Sequence, residues 1–186
     1  MPWEKTYDEA EVLEAAMHAF WSDGYHGTSM AGLVAATGLN RGSLYAGFGN
    51  KRALFLRALR HYDDTYRSGL LDQFRQDGPG KESILAVFET VARGDAQMPG
   101  GCLMIQSAME RAPHDPEIAT IVESSMAEVE AFFAACLSQG DSPPPDAGET
   151  AKVLQGLMIG ILVMTRTNRD SPSIPAMLAQ VRSLVG

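Results

Sequence analysis

An all-α fold is predicted for this 186-residue chain by three observations. Apolar residues recur three and four positions apart, no stretch alternates with period two over a useful length, and glycine, proline and capping residues fall at helix-length intervals. The punctuation divides the chain into a three-helix helix-turn-helix domain over residues 1–50 and a larger helical domain over 51–186. A long helix joins the two, and about nine helices are expected in all. With 45% hydrophobic residues the chain can bury a real core.

The elements follow in order. Thr6-Tyr7-Asp8-Glu9 reads as a capping box. The helix after it puts Val12, Leu13, Ala16, Met17 and Phe20 on one stripe and ends at Asp23-Gly24. A second helix starts near Thr28-Ser29 and stops at Gly38. A third covers about 41–46 and is closed by Gly47 and Gly49. The fourth starts after Asn50, carries Leu54, Phe55, Ala58, Leu59 and Tyr62, and runs through Leu70 and Phe74 to the breaker Asp77-Gly78-Pro79-Gly80. Further helices are expected at about 81–95, 103–111, 115–138, 147–167 and 174–185. Asp115-Pro116-Glu117 has the Asp cap and first-turn proline of a good helix start.

Charge is distributed unevenly. The chain carries a formal −8, yet no acidic residue lies between Gly24 and Tyr62, a stretch that holds Arg41, Lys51, Arg52, Arg57 and Arg60. An acidic body with one positive edge confines phosphate contact to that edge. Gly38 allows a left-handed turn between two helices, Leu39 fills their angle, and Asn40 caps the third helix. Arg41, Gly42, Ser43, Tyr45 and Ala46 are then free to meet DNA, while Leu44 and Phe48 anchor the helix. Lys51 and Arg52 open the fourth helix, where its amides also attract phosphate.

These residues resemble the DNA-binding domain of the tetracycline-repressor-like (TetR) family of bacterial regulators. The resemblance covers about residues 8–62. It rests on Ala15-Ala16 and Phe20, Gly24-Tyr25, Gly27-Thr28-Ser29, Gly38-Leu39, Leu44-Tyr45, Phe48, Asn50-Lys51 and Leu54-Phe55 in order. It implies a recognition helix at about 41–47, Tyr45 and Lys51 on phosphates, and a C-terminal domain that dimerises and holds an inducer. The DNA-contacting set is then Thr28, Ser29, Arg41, Gly42, Ser43, Tyr45, Ala46 and Lys51. Gly47 departs from the family pattern, in which a His or Tyr is common there; base readout then rests on Arg41, Ser43 and helix-two residues such as Ala31 and Gly32.

The expected function is a homodimeric DNA-binding regulator, a repressor released from a palindromic double-stranded operator by a small-molecule inducer of unknown identity. Pocket candidates are Phe88, Cys102, Met104, Met126, Phe133 and Met158, though apolar pocket and apolar core look alike in a helical sequence. Two alternatives remain open. One is a thiol-based sensor at Cys102, whose place at a helix start would lower its pKa. The other is a ligand-binding adaptor that has lost DNA affinity. Gly156 and Gly160 give α-helical small-residue spacing that suits either a partner subunit or a close neighbour within the chain.

Other classes find no support. No nucleophile elbow or phosphate-binding loop occurs, so no enzyme activity is expected. The histidines at 18, 26, 61 and 114 are scattered, and no metal or cofactor is expected. The most apolar run, Gly156 to Met164, is too short to span a bilayer, and two cysteines make no disulfide framework. A cytoplasmic protein without a membrane partner is expected.

Overall fold

The computed structural model describes residues 7–76, 80–95, 97–139 and 144–186, and among these every regular element is helical. Helix α1, Glu9–Gly27, is capped by Asp8, whose carboxylate accepts from the amides of Ala10 at 2.8 Å and Glu11 at 3.4 Å. Thr6, expected in that capping role, lies outside the described residues. Gly24 breaks the helical path at φ 76°, ψ 169°, so Tyr25–Gly27 leave the axis of the preceding turns.

Helices α2 (Met30–Thr37), α3 (Arg41–Phe48) and α4 (Lys51–Tyr62) follow with short connections. Beyond Tyr62 the rod continues through a π-turn at Asp63–Arg67 into α5, Ser68–Gln76. The remainder is α6 (Lys81–Arg93), α7 (Leu103–Glu110), α8 (Pro116–Ser138), α9 (Ala147–Thr167) and α10 (Ser173–Val185). Counting 51–76 as one rod gives nine helical rods among the described residues. The breaker residues Asp77, Gly78 and Pro79, and Pro143 of the proline run, lie outside them.

Two cores hold the chain together. The first joins α1 to α4 through Met17, Phe20, Leu33, Leu44, Phe48, Phe55 and Leu59, and takes in Leu103, Met104 and Ile118 from beyond. Its centre is Phe20 against Phe55, rings perpendicular and 4.9 Å apart. The second joins α5, α6, α8, α9 and α10 around Ile84, Phe88, Phe133, Leu154 and Ile161.

Helix α9 contains the apolar run and is, at 21 residues, long and apolar enough to cross a membrane by length and composition. Here it packs against α6, α8 and α10. Only 22% of its apolar window is buried, however, and Val153 is half exposed. A Cβ on Gly160 would touch the Met177 side chain of α10 at 3.2 Å, whereas Gly156 faces open space. Close packing within the chain accounts for Gly160 and not for Gly156.

Candidate nucleic-acid interface and the cavity behind it

Three side-chain caps set out the reading unit. Ser29 Oγ accepts from Gly32 N at 3.0 Å to start α2, Asn40 Oδ1 accepts from Ser43 N at 2.8 Å to start α3, and Asn50 Oδ1 accepts from Ala53 N at 2.9 Å to start α4. Gly38, at φ 69°, makes the turn between α2 and α3. Leu44 and Phe48 point into the core, 1% and 4% exposed. The same helix therefore turns Arg41, Gly42, Tyr45 and Ala46 to solvent, with Ser43 half-buried beside them. The Arg41 guanidinium lies over the Tyr45 ring at 5.6 Å, which pre-arranges a cation and a hydroxyl on one exposed face.

Thr28 does not belong to that face. It is 2% exposed, and its hydroxyl donates to Gly24 O at 2.6 Å and Ala19 O at 3.2 Å, closing the end of α1. Its expected place among the DNA contacts is corrected accordingly: a buried, hydrogen-bonded hydroxyl is unavailable to phosphate.

The positive edge is also thinner than the sequence suggested. Arg52 forms a bidentate pair with Asp115 at 2.6 and 2.8 Å and reaches Glu117 at 3.0 Å. Arg60 pairs with Glu117 at 2.9 Å, and Arg57 with Glu9. An acid-free window cannot reveal acids that arrive from α1 and α8, which is why this was not legible. Arg41 and Lys51 remain as the outward charges. Lys51 is half-buried with its ammonium 4.5 Å above the Tyr25 ring. Burial pushes its pKa down, and the Glu110 carboxylate nearby pulls it back up.

Gly47 has a steric reason. A Cβ there would collide with the hydroxyl of Tyr7, whose ring lies 6.2 Å from that of Phe48. Tyr7 thus packs directly on the end of α3.

Behind the reader, a cavity of about 360 Å³ lies between the two cores. Cys102, Met104, Met126 and Met158 line it. Phe88 and Phe133 do not: both are fully buried and stack on each other at 5.5 Å in the second core. Their expected place at the pocket is corrected, because an aromatic pair packed on all sides has no free face. Sequence reasoning missed the aromatic wall of Trp21, Tyr62 and Tyr66, rings 5.0 to 5.7 Å apart. Tyr62 and Tyr66 are one turn apart in a helix, a spacing that could have signalled it.

The alternative reading as a thiol sensor needs a Cys102 thiol of lowered pKa. Burial instead pushes it up, outweighing its hydrogen bonds with Tyr62 and the amides of Ile105 and Met104. Among the described residues, no three His, Cys, Asp or Glu cluster closely enough to hold a metal.

Helix α7 joins cavity to reader. Its first turn lines the cavity with Met104 and Ile105. At its other end, the Glu110 carboxylate accepts from Tyr25 N at 2.9 Å and His26 N at 2.6 Å. Those amides are free because Gly24 breaks α1, and a Cβ on Gly24 would come within 3.0 Å of Glu110 Oε2 and Gln106 Nε2.

Comparison with known proteins agrees with this geometry. Residues 12–58 match the profile of bacterial regulatory proteins, tetR family, and residues 82–180 match that of the transcriptional regulator LmrA/YxaF-like C-terminal domain. The chain is 36% identical over 131 residues to YezE, an uncharacterized HTH-type transcriptional regulator of Bacillus subtilis, covering 69% of this chain and 68% of YezE. It is 32% identical over 170 residues to the HTH-type transcriptional repressor ComR of Escherichia coli, covering 87% and 81%. Among solved structures, a cysteine mutant of the regulator CifR, complexed with 26-base-pair operator DNA, gives a TM-score of 0.78 at 29% identity over 98% of each chain.

Proposed function

Because the chain belongs to the TetR family of bacterial transcriptional regulators, we propose that it is a homodimeric repressor whose α3 reads a palindromic operator and which a small molecule in the cavity releases. The observation that carries this reading is the outward set on α3 and α4, Arg41, Gly42, Ser43, Tyr45, Ala46 and Lys51, with Ser29 at the start of α2. It is a face of donors and close-approach positions on an otherwise acidic chain. The operator-bound state of CifR supports duplex DNA as the partner. A DNA partner in turn supports a cytoplasmic location.

The uncovered apolar side of α9 around Val153 and Gly156, with α10 beside it, suits a second copy of the chain. Two readers then stand about one helical repeat apart, roughly 34–36 Å, on a palindrome. A ligand that binds better to the dimer with wrongly spaced readers shifts the population off DNA by its difference in affinity. The α7 route from cavity to Glu110 and Tyr25 gives that difference a mechanical path, parallel to the α4 rod.

The raised thiol of Cys102 weighs against thiolate sensing. Cys102→Ser is expected to leave both operator binding and its response to oxidants unchanged, as read by gel shift. The repressor reading is tested by selecting bound sites from a random DNA pool and then challenging the complex with candidate compounds. Enrichment of a palindrome and its release by one compound are expected. A pool that stays random after selection ends the reading.

A further inference from the structure

The cavity's polar walls restrict what it can hold, and this inference rests on the ligand-controlled reading above. Nearly every hydrogen-bonding group on the wall already has a partner within the chain. The Arg67 guanidinium is held by Asp63 and by Glu128 at 3.0 Å. The Ser125 hydroxyl donates to Asp63 at 2.6 Å, and the Tyr66 hydroxyl donates to Glu14. The Thr165 hydroxyl donates to Leu162 O and accepts from Gly101 N. Arg169 donates to the carbonyls of Asp95 and Met98, and stands exposed at the rim with Arg93 and Asp95, where water screens them.

Arg67 Nη1 has no partner, but protein atoms cover it, so a guest cannot reach it without displacing the side chain. The rest of the lining is apolar: the aromatic wall of Trp21, Tyr62 and Tyr66, the methionines Met98, Met104, Met126 and Met158, and aliphatic side chains such as Val87 and Leu162. Such a surface is soft, polarizable and without spare charge. A carboxylate or ammonium moved past the rim, where Arg93, Asp95 and Arg169 stand in water, would shed water and meet no counter-charge in the interior that is not already paired.

We propose that the ligand of this cavity is an uncharged, largely apolar molecule, bound by shape and dispersion, with Gln155 and Thr90 as the side chains left for one neutral polar group. The Gln155 side-chain nitrogen is committed to Met126 O at 2.6 Å, which leaves its carbonyl oxygen, and the half-buried Thr90 hydroxyl stands on the same lining. A cavity of about 360 Å³ falls in the size range of sites for small molecules.

The test uses three probes of matched length: 2-decanone, decanoate and decylammonium. Each is titrated into the full chain by calorimetry and by tryptophan emission. The chain has two tryptophans, so a Trp3→Phe background makes the cavity-lining Trp21 the sole reporter. The expected result is that 2-decanone shifts Trp21 emission and binds at least tenfold more tightly than either ion. Equal or tighter binding of decanoate or decylammonium overturns the proposal, as does the absence of any Trp21 response to 2-decanone. If 2-decanone binds with the expected preference while operator affinity stays constant, the ligand class stands and the release mechanism fails.

Discussion

At the scale of single residues, the proposed operator face is narrow. Arg41 and Lys51 are its outward charges, and the other proposed contacts are a hydroxyl, an aromatic and small residues whose backbone can come close to phosphate. Arg52→Ala is therefore expected to act on stability through lost pairs to Asp115 and Glu117, with little change in the salt slope of DNA binding. Gly47 carries a second prediction. Gly47→Ala is expected to push the Tyr7 side chain aside, because its hydroxyl end is the atom in the way, and with the gain in helix propensity to change stability by less than about 1 kcal/mol. Urea midpoints check this. The caps and ends of α2, α3 and α4 were legible, because caps and spacing are local. Which charges stay free was not, because Glu9, Asp115 and Glu117 approach from elements distant in sequence. Thr28 misled for a related reason: a Ser/Thr pair before a helix offers two hydroxyls, and here Ser29 caps α2 while Thr28 closes α1.

Elements were legible where glycine, proline or a cap marks an end, as at Ser29, Asn40, Asn50 and Pro116. The π-turn at Asp63–Arg67 has no such mark, since its residues are all helix-compatible. Asp115 occupies the cap position of α8 as its neighbours suggested, yet its carboxylate is taken up by Arg52 of α4. That pair is a strut between reader and body. The Arg52 hydrogen bonds hold the Asp115 carboxyl at about 2, below its ordinary 3.8. A depressed folded-state pKa gives stability that is present above the unfolded value and lost as pH falls towards the folded one. Asp115→Asn should therefore lower urea midpoints most above about pH 4, with the gap to wild type closing as pH falls through 4 towards 2. Glu110 is the matching strut on α7. Glu110→Ala exchanges a charged acceptor of the Tyr25 and His26 amides for water and is expected to destabilise by about 1 kcal/mol. Melting curves check that loss, and ligand-driven release should weaken further than operator binding does.

On the scale of the whole molecule, net acidity and DNA recognition are compatible because charge is segregated. Residues 61–186 carry nine basic and seventeen acidic residues, so their net charge disfavours contact with a duplex, and the proposed contacts on α3 and the start of α4 lie outside them. The fold class and the two-part order were readable from periodicity alone. The cavity was not, because whether an apolar side chain lines a void or fills a core depends on helices that meet only in three dimensions, as Phe88 and Met158 illustrate. The central claim is that α3 and the first turn of α4 carry operator binding. It is tested most directly by operator affinity across a salt series for wild type and for Arg41→Ala with Lys51→Ala, with dimer mass measured alongside. The account predicts a dimer in both, a large loss of affinity in the variant, and a log–log salt slope shallower by about one for each phosphate contact removed from each reader. Unchanged affinity and slope in a folded, dimeric variant would contradict it.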